Sequence, residues 1–156
     1  MKLNCDLGES FGAWSMPVES AIMGEIDQAN IACGFHAGDP LVMKQAIRLA
    51  KQHDVVIGAH PAYPDLQGFG RRSMAIAADE LSAMIQYQVS ALSGMAKVCG
   101  ANVSYVKPHG ALYNDMMKDT AVMRTVMQSI AEINMQSLDS PLALMVQATS
   151  QNAALK

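Results

Sequence analysis

The stretch QANIACGFHAGD, residues 28–39, decides how the rest of the chain is read. Ala29, Ile31, Ala32 and Cys33 make an apolar run broken by Asn30, and the run stops at Gly34. After Phe35, His36, Ala37 and Gly38 comes Asp39-Pro40, and helical spacing begins at once. That is a strand, a loop and a helix in succession. Asp39 can accept hydrogen bonds from the helix's free N–H groups, and Pro40 suits the first helical position because its missing N–H had no partner there. His36 therefore sits at the carboxyl end of a strand, where α/β proteins place ligands and chemistry.

Working outward, the same grammar recurs. Residues 2–6 form a short strand whose alternation puts Asn4 and Asp6 on one face. A turn-rich loop through Gly8, Glu9 and Gly12 carries a second carboxylate, and a short helix is expected over 17–26. The helix opened by Pro40 runs to residue 52, with Met43, Ala46, Ile47 and Ala50 at helical spacing. The third strand, 55–59, is continuously apolar, as expected when both faces are covered, and it ends at His60-Pro61. A long loop from 61 to 78 holds Asp65 and Gly68-Phe69-Gly70-Arg71-Arg72; such loops are more often functional than idle. A helix over 79–99 follows, poorly capped because Ala77 and Ala78 stand where Ser or Asp is preferred. The fourth strand, 103–106, runs into Lys107-Pro108-His109-Gly110. A further helix spans 119–133, the fifth strand is 142–146, and 148–156 begins something helical.

Composition narrows the function classes. The chain has 156 residues, 51% hydrophobic and 16% charged, so it reads as a single domain over 1–156 with apolar mass for a core. A net charge of −3 gives no basic field, which argues against nucleic acid as a partner. No apolar run approaches the roughly 20 residues a membrane span needs. Asp6 arrives before any signal-peptide core could form, so the expected compartment is the cytoplasm. Cys5, Cys33 and Cys99 lack C-x-x-C spacing and read as small buried hydrophobes, and the methionines of the helices read as core.

Five strands alternating with helices imply a parallel sheet. A doubly wound sheet is one solution, but neither G-x-G-x-x-G after the first strand nor G-x-x-x-x-G-K-[ST] is present. A (β/α) TIM-like barrel explains why four successive strands end in Asp6, His36, His60 and Lys107 with His109, since barrel strand ends converge on one face. Such barrels typically take roughly 250 residues, so the expected fold is an incomplete one.

The segments NCDLGESFG (4–12), DQANIACGFHAGDP (27–40), GAHPAYPDLQGFGRR (58–72) and SYVKPHGALYNDM (104–116) closely resemble the lactam-utilisation family, the A component of prokaryotic ATP-dependent 5-oxoprolinase. The resemblance implies a variant (β/α) barrel related to the glycoside hydrolase/deacetylase superfamily. It also implies two partner subunits, ATP as cosubstrate, and opening of 5-oxo-L-proline to L-glutamate. Two departures stand out: the carboxyl-terminal third of the family pattern is missing, and Ala62 replaces the glycine of the family's GAHPGYPD.

A lactam carbonyl is a poor electrophile and an amine a poor leaving group, so ATP would serve by phosphorylating the carbonyl oxygen. That chemistry wants a base for water, a cation for phosphate oxygens and a proton donor for nitrogen. Asp6, His36, His60, Lys107 and His109 are the catalytic candidates; Asn4, Glu9, Asn30, Asp65, Arg71 and Arg72 are the candidates for binding substrate or phosphate. Asp6, His36 and His60 would also suit a divalent metal such as zinc. Each has a plainer reading. A loop histidine is often only a hydrogen-bonder, Glu9 and Asp65 suit turns, and Arg71 and Arg72 suit solvent or acidic neighbours. His53, near a helix end, is read as structural. Two other function classes remain open: a metal-dependent hydrolase or deacetylase of an N-acyl or carbohydrate substrate, and a non-catalytic interaction subunit. A barrel that stops after the fifth strand leaves two unpaired edges, so the chain is expected to self-associate or be completed by other polypeptide, and to be inactive alone.

Overall fold

A computed structural model describes residues 2–16, 19–136 and 141–148. The strands are β1 (Asn4–Leu7), β2 (Gln28–Ala32), β3 (Val56–His60), β4 (Val103–Val106) and β5 (Ala143–Leu144). The helices are α1 (Glu19–Ile22), α2 (Pro40–Gln52), α3 (Ala78–Val98), α4 (Gly110–Lys118) and α5 (Thr120–Gln136). All strand pairs are parallel, in the order β1-β2-β3-β4-β5. A doubly wound sheet reverses order at a switch point. This sheet advances strand by strand, as a (β/α) barrel does, with β1 and β5 at its edges.

The two faces of the sheet differ in chemistry because strand residues alternate. On the helix-covered face, Ile31, Ile57, Ala59 and Val106 join Ile47 of α2, Ile85 and Leu92 of α3, Leu112 of α4 and Val126 of α5 in one core. Each fully buried Leu or Ile there contributes about 1.5–3 kcal/mol. Cys33 lies in the same core, where burial pushes its thiol up to about 12, so it stays an unreactive thiol. The other face is polar. Asp6 pairs in register with Asn30, Asn30 with Gly58, and Gly58 with Tyr105. Gly58 is needed because the Tyr105 ring lies where its Cβ would be. Tyr105 thereby crosses β3 from β4 and reaches both Asn30 on β2 and Asn4 on β1.

Local chemistry accounts for the elements. Asp39 Oδ1 accepts the N–H groups of Leu41 and Val42, both at 2.9 Å, and α2 keeps its expected limits. Ala77 makes no capping side-chain bond, so α3 relies on Asp79 and Glu80 in its first turn and on a buried face of Leu81, Ile85, Gln88, Val89, Leu92 and Ala96.

Three elements depart from expectation. The first helix is only Glu19–Ile22, and residues 17 and 18 of the expected 17–26 lie outside the described residues. Gly110–Lys118 is helical although it opens on glycine behind His109, which makes no capping side-chain bond; burial of Ala111, Leu112 and Met116 outweighs that start. β5 holds two of the five residues expected at 142–146: the Asn134 side chain takes both the N–H of Leu142 at 2.8 Å and its carbonyl at 3.1 Å, so the strand starts at Ala143. Beyond Leu144 the Met145 N–H still donates to the Val106 carbonyl at 2.8 Å. The helical start expected at 148–156 falls, beyond Ala148, outside the described residues. Among the described residues no helix is long and apolar enough to cross a membrane.

Candidate active site

Every polar residue expected at a strand end is found at the carboxyl edge of the sheet or in the loop after it, in two adjoining groups. The first is organised by Asp6. Its Oδ1 accepts hydrogen bonds from Lys107 Nζ at 2.6 Å and Asn30 Nδ2 at 2.6 Å, and its Oδ2 lies 3.4 Å from His60 Nε2. Asn30, wholly buried, also donates to Asn4 and accepts from Asn4 and from the Tyr105 hydroxyl. Burial alone would raise the Asp6 carboxyl; the neighbouring His60, Lys107 and Asn30 outweigh it and hold the group far below the usual carboxylate range. Asp6 is therefore ionised at any working pH. Burial pushes the Tyr105 phenol up, so it remains a donor.

The second group is Glu9, His36, His60 and His109, whose side chains are 10%, 0%, 1% and 5% exposed. His60 Nδ1 donates to the Lys107 carbonyl at 2.5 Å, and His109 Nε2 donates to the Phe69 carbonyl at 2.9 Å. Carbonyl oxygens only accept, so these are the protonated nitrogens. The remaining nitrogens, His60 Nε2 and His109 Nδ1, face one another at 3.0 Å. His36 stacks on His109 with ring centres 3.8 Å apart, and its Nε2 meets Glu9 Oε1 at 3.0 Å. Its Nδ1 is buried with no hydrogen-bond partner among the described residues. Burial lowers His36, with Glu9 partly offsetting it; burial, then His36 and His60, lowers His109 to about 4.

The long loop closes this group from one side. Phe69 and Gly70 both take left-handed backbone (φ 54 and 64), which turns the Phe69 carbonyl toward His109. A Cβ on Gly70 would come within 2.7 Å of His36 and 2.8 Å of His109. Buried Gln88 of α3 pins the loop's start, accepting from Ala62 N–H at 2.9 Å and donating to its carbonyl at 3.0 Å.

Asp65 and Arg72 are occupied with each other. Asp65 is buried, accepts the Gly68 N–H at 2.9 Å and is bridged by the Arg72 guanidinium. Arg71 is exposed and lies over the Phe69 ring. The Arg72 hydrogen bond holds the Asp65 carboxyl at about 2, below its ordinary 3.8. With the folded value depressed, the pair's stabilisation is complete above the unfolded value and is lost as pH falls from 3.8 through about 2. Melting temperature is expected to fall less steeply across that window in Arg72→Ala than in the wild type. Parallel curves would contradict the assignment.

Sequence reasoning missed Tyr105 and the Phe69 carbonyl. The parity of Tyr105 with Lys107 was the available signal, whereas a backbone carbonyl aimed by two left-handed residues leaves none. A groove of about 700 Å³ runs between α3 and α5, past Gln86, Glu132, Asn102 and Val103. It borders the amino end of β4, and no strand-end candidate lines it, so the chemistry points to the other end of the sheet.

Comparison with known proteins bears on what this site serves. The sequence model of the LamB/YcsF family matches residues 1–155. The second 5-oxoprolinase A-subunit protein of Pseudomonas putida is 56% identical over 152 residues, covering 97% of this chain and 57% of that protein. The 5-oxoprolinase A-subunit protein of Vibrio cholerae is 52% identical over 152 residues, covering 97% and 60%. The crystal structure of the lactam utilization protein from Thermus thermophilus matches with a TM-score of 0.89 at 40% identity, over 98% of this chain and 60% of that one. The fold is TIM-like, and the chain spans 57–60% of the length of these relatives.

Proposed function

The chain belongs to the LamB/YcsF family, and on that premise we propose that it is the A component of a cytoplasmic ATP-dependent 5-oxoprolinase acting with two partner subunits. The substrate is 5-oxo-L-proline, and the products are L-glutamate, ADP and phosphate. The observation that carries this reading is the ionised Asp6 held between Lys107 and His60 at the strand ends, in a chain 56% identical to a protein named for the reaction.

The chemistry follows from the weakness of the electrophile. Transfer of the γ-phosphoryl group of ATP to the lactam oxygen releases ADP and leaves a cationic imidate carbon. Water adds to that carbon and gives up a proton, and the C–N bond breaks as the ring nitrogen takes a proton, leaving γ-glutamyl phosphate. A second water releases phosphate and glutamate. Asp6, through the Oδ2 oxygen that Lys107 and Asn30 do not engage, would take the proton of water, and the Lys107 ammonium would offset charge on the oxygens. Asn4, Asn30 and Tyr105 hold Asp6 in position.

Mixing the purified chain with its partner subunits and following glutamate release with and without ATP tests the reading. ATP-dependent release that requires this chain is expected. Release without ATP, or none in a mixture that a full-length relative activates, would overturn it.

A further inference from the structure

We propose that Glu9, His36, His60 and His109 form a binding site for one divalent transition-metal ion, zinc being the first candidate. The site stands on geometry and does not rest on the lactam reading.

His60 and His109 each spend their one proton on a backbone carbonyl, at 2.5 and 2.9 Å. Two lone pairs are then left 3.0 Å apart in a buried space, with Glu9 Oε1 3.8 Å from His109 Nδ1. Lone pairs at that separation repel unless something positive lies between them. Tying the outer nitrogen of a histidine to a carbonyl is also how proteins orient and polarise imidazoles that bind metal.

Distances agree with an ion at the centre. One ligand atom from each of the four side chains lies within 4.8 Å of all the others. The separations His36 to Glu9, His60 to His109 and His109 to Glu9 are 3.0, 3.0 and 3.8 Å. A tetrahedral ion with bonds of about 2.0–2.1 Å holds its ligands about 3.3 Å apart. These separations bracket that value. An imidazole lone pair lies in the ring plane, so His36 would turn out of its parallel stack on His109 as the ion binds. A single shared proton would use only two of the four donors.

Three imidazoles and one carboxylate suit zinc, cobalt or iron rather than magnesium, which prefers oxygen and keeps its waters. The ion is therefore distinct from any magnesium that enters with a nucleotide. Asp6, whose Oδ1 is engaged by the Lys107 ammonium, stands beside the site, and Glu9 supplies the carboxylate. The ligands come from the loop after β1, the loop after β2, the end of β3 and the residue before α4. One ion would tie four consecutive strand ends together, and with four protein ligands the site is of the closed kind that stabilises a fold.

Titration of the metal-stripped chain with cobalt(II) and zinc(II), read by calorimetry and by the visible spectrum of cobalt, tests this. One ion per chain, the intense spectrum of tetrahedral cobalt, and a rise in melting temperature with zinc are expected. Glu9→Gln and His109→Ala should each weaken binding about 100-fold or more, while His53→Ala should leave it unchanged. Because His109→Ala removes a buried ring, Glu9→Gln and an anomalous difference map of zinc-soaked wild-type crystals provide readings that do not depend on it. No binding, six-coordinate cobalt indifferent to Glu9→Gln, or zinc located elsewhere would overturn the proposal and leave a shared proton between His60 and His109.

Discussion

On the proposed reading, Asp6→Asn is expected to lower ATP-dependent glutamate release by the chain mixed with its proposed partner subunits by about 10²- to 10⁴-fold, the range for loss of a general base. The substitution keeps the size of the side chain and its acceptor toward Lys107, so the fold should survive. What it removes is the negative charge to which Lys107 and Asn30 donate and beside which His60 lies. A carboxamide at this position cannot take a proton from water, and the Lys107 ammonium loses its counter-charge. The loss should appear in kcat, with the melting temperature little changed. Wild-type turnover after Asp6→Asn would remove Asp6 from the mechanism, and the same result for His60→Ala would remove its partner.

Gly58→Ala should destabilise the fold by about 3 kcal/mol, at the upper end of what overpacking usually costs. A methyl group at this position would enter the Tyr105 ring, which is 4% exposed and hydrogen-bonded to Asn30 at 2.7 Å and Asn4 at 3.0 Å. The ring cannot retreat without giving up those bonds and exposing the polar pairs beneath it. Urea denaturation reads the effect directly. In Tyr105→Ala, which vacates the space, the added cost of Gly58→Ala should largely vanish, and equal costs in both backgrounds would show that the ring is not the obstacle.

How far the sequence could be read depended on whether each feature was local. Asp39-Pro40 is a local signal, a side-chain cap followed by a residue that needs no N–H, and it set the start of α2 correctly. The positions of Asp6, His36, His60, Lys107 and His109 followed from where apolar runs stop, and the structure brings these residues together at one end of the sheet. How the two acids divide their partners was not legible. Strand parity ends at Leu7, and Gly8 then turns the chain through left-handed backbone (φ 71), so no alternation rule reaches Glu9. The helix α4 was hidden for a related reason. Its stability lies in contacts of Leu112 and Met116 with the core, while its own start, Gly110, argues against a helix. β5 was overestimated because an apolar run does not reveal that Asn134, eight residues earlier, captures Leu142.

If the polar strand ends receive the lactam, the four histidines of the chain supply their own control. His36, His60 and His109 belong to the strand-end group, whereas His53 is exposed at the C-cap of α2. The most direct measurement is a titration of the ¹⁵N-labelled protein with 5-oxo-L-proline, following the imidazole nitrogens. Saturable shifts of His60 and His109, with His53 unmoved, are the predicted result. Binding that moves His53, or perturbs residues of the groove between α3 and α5 while His60 and His109 stay fixed, would place the substrate elsewhere and contradict a lactam site at the strand ends.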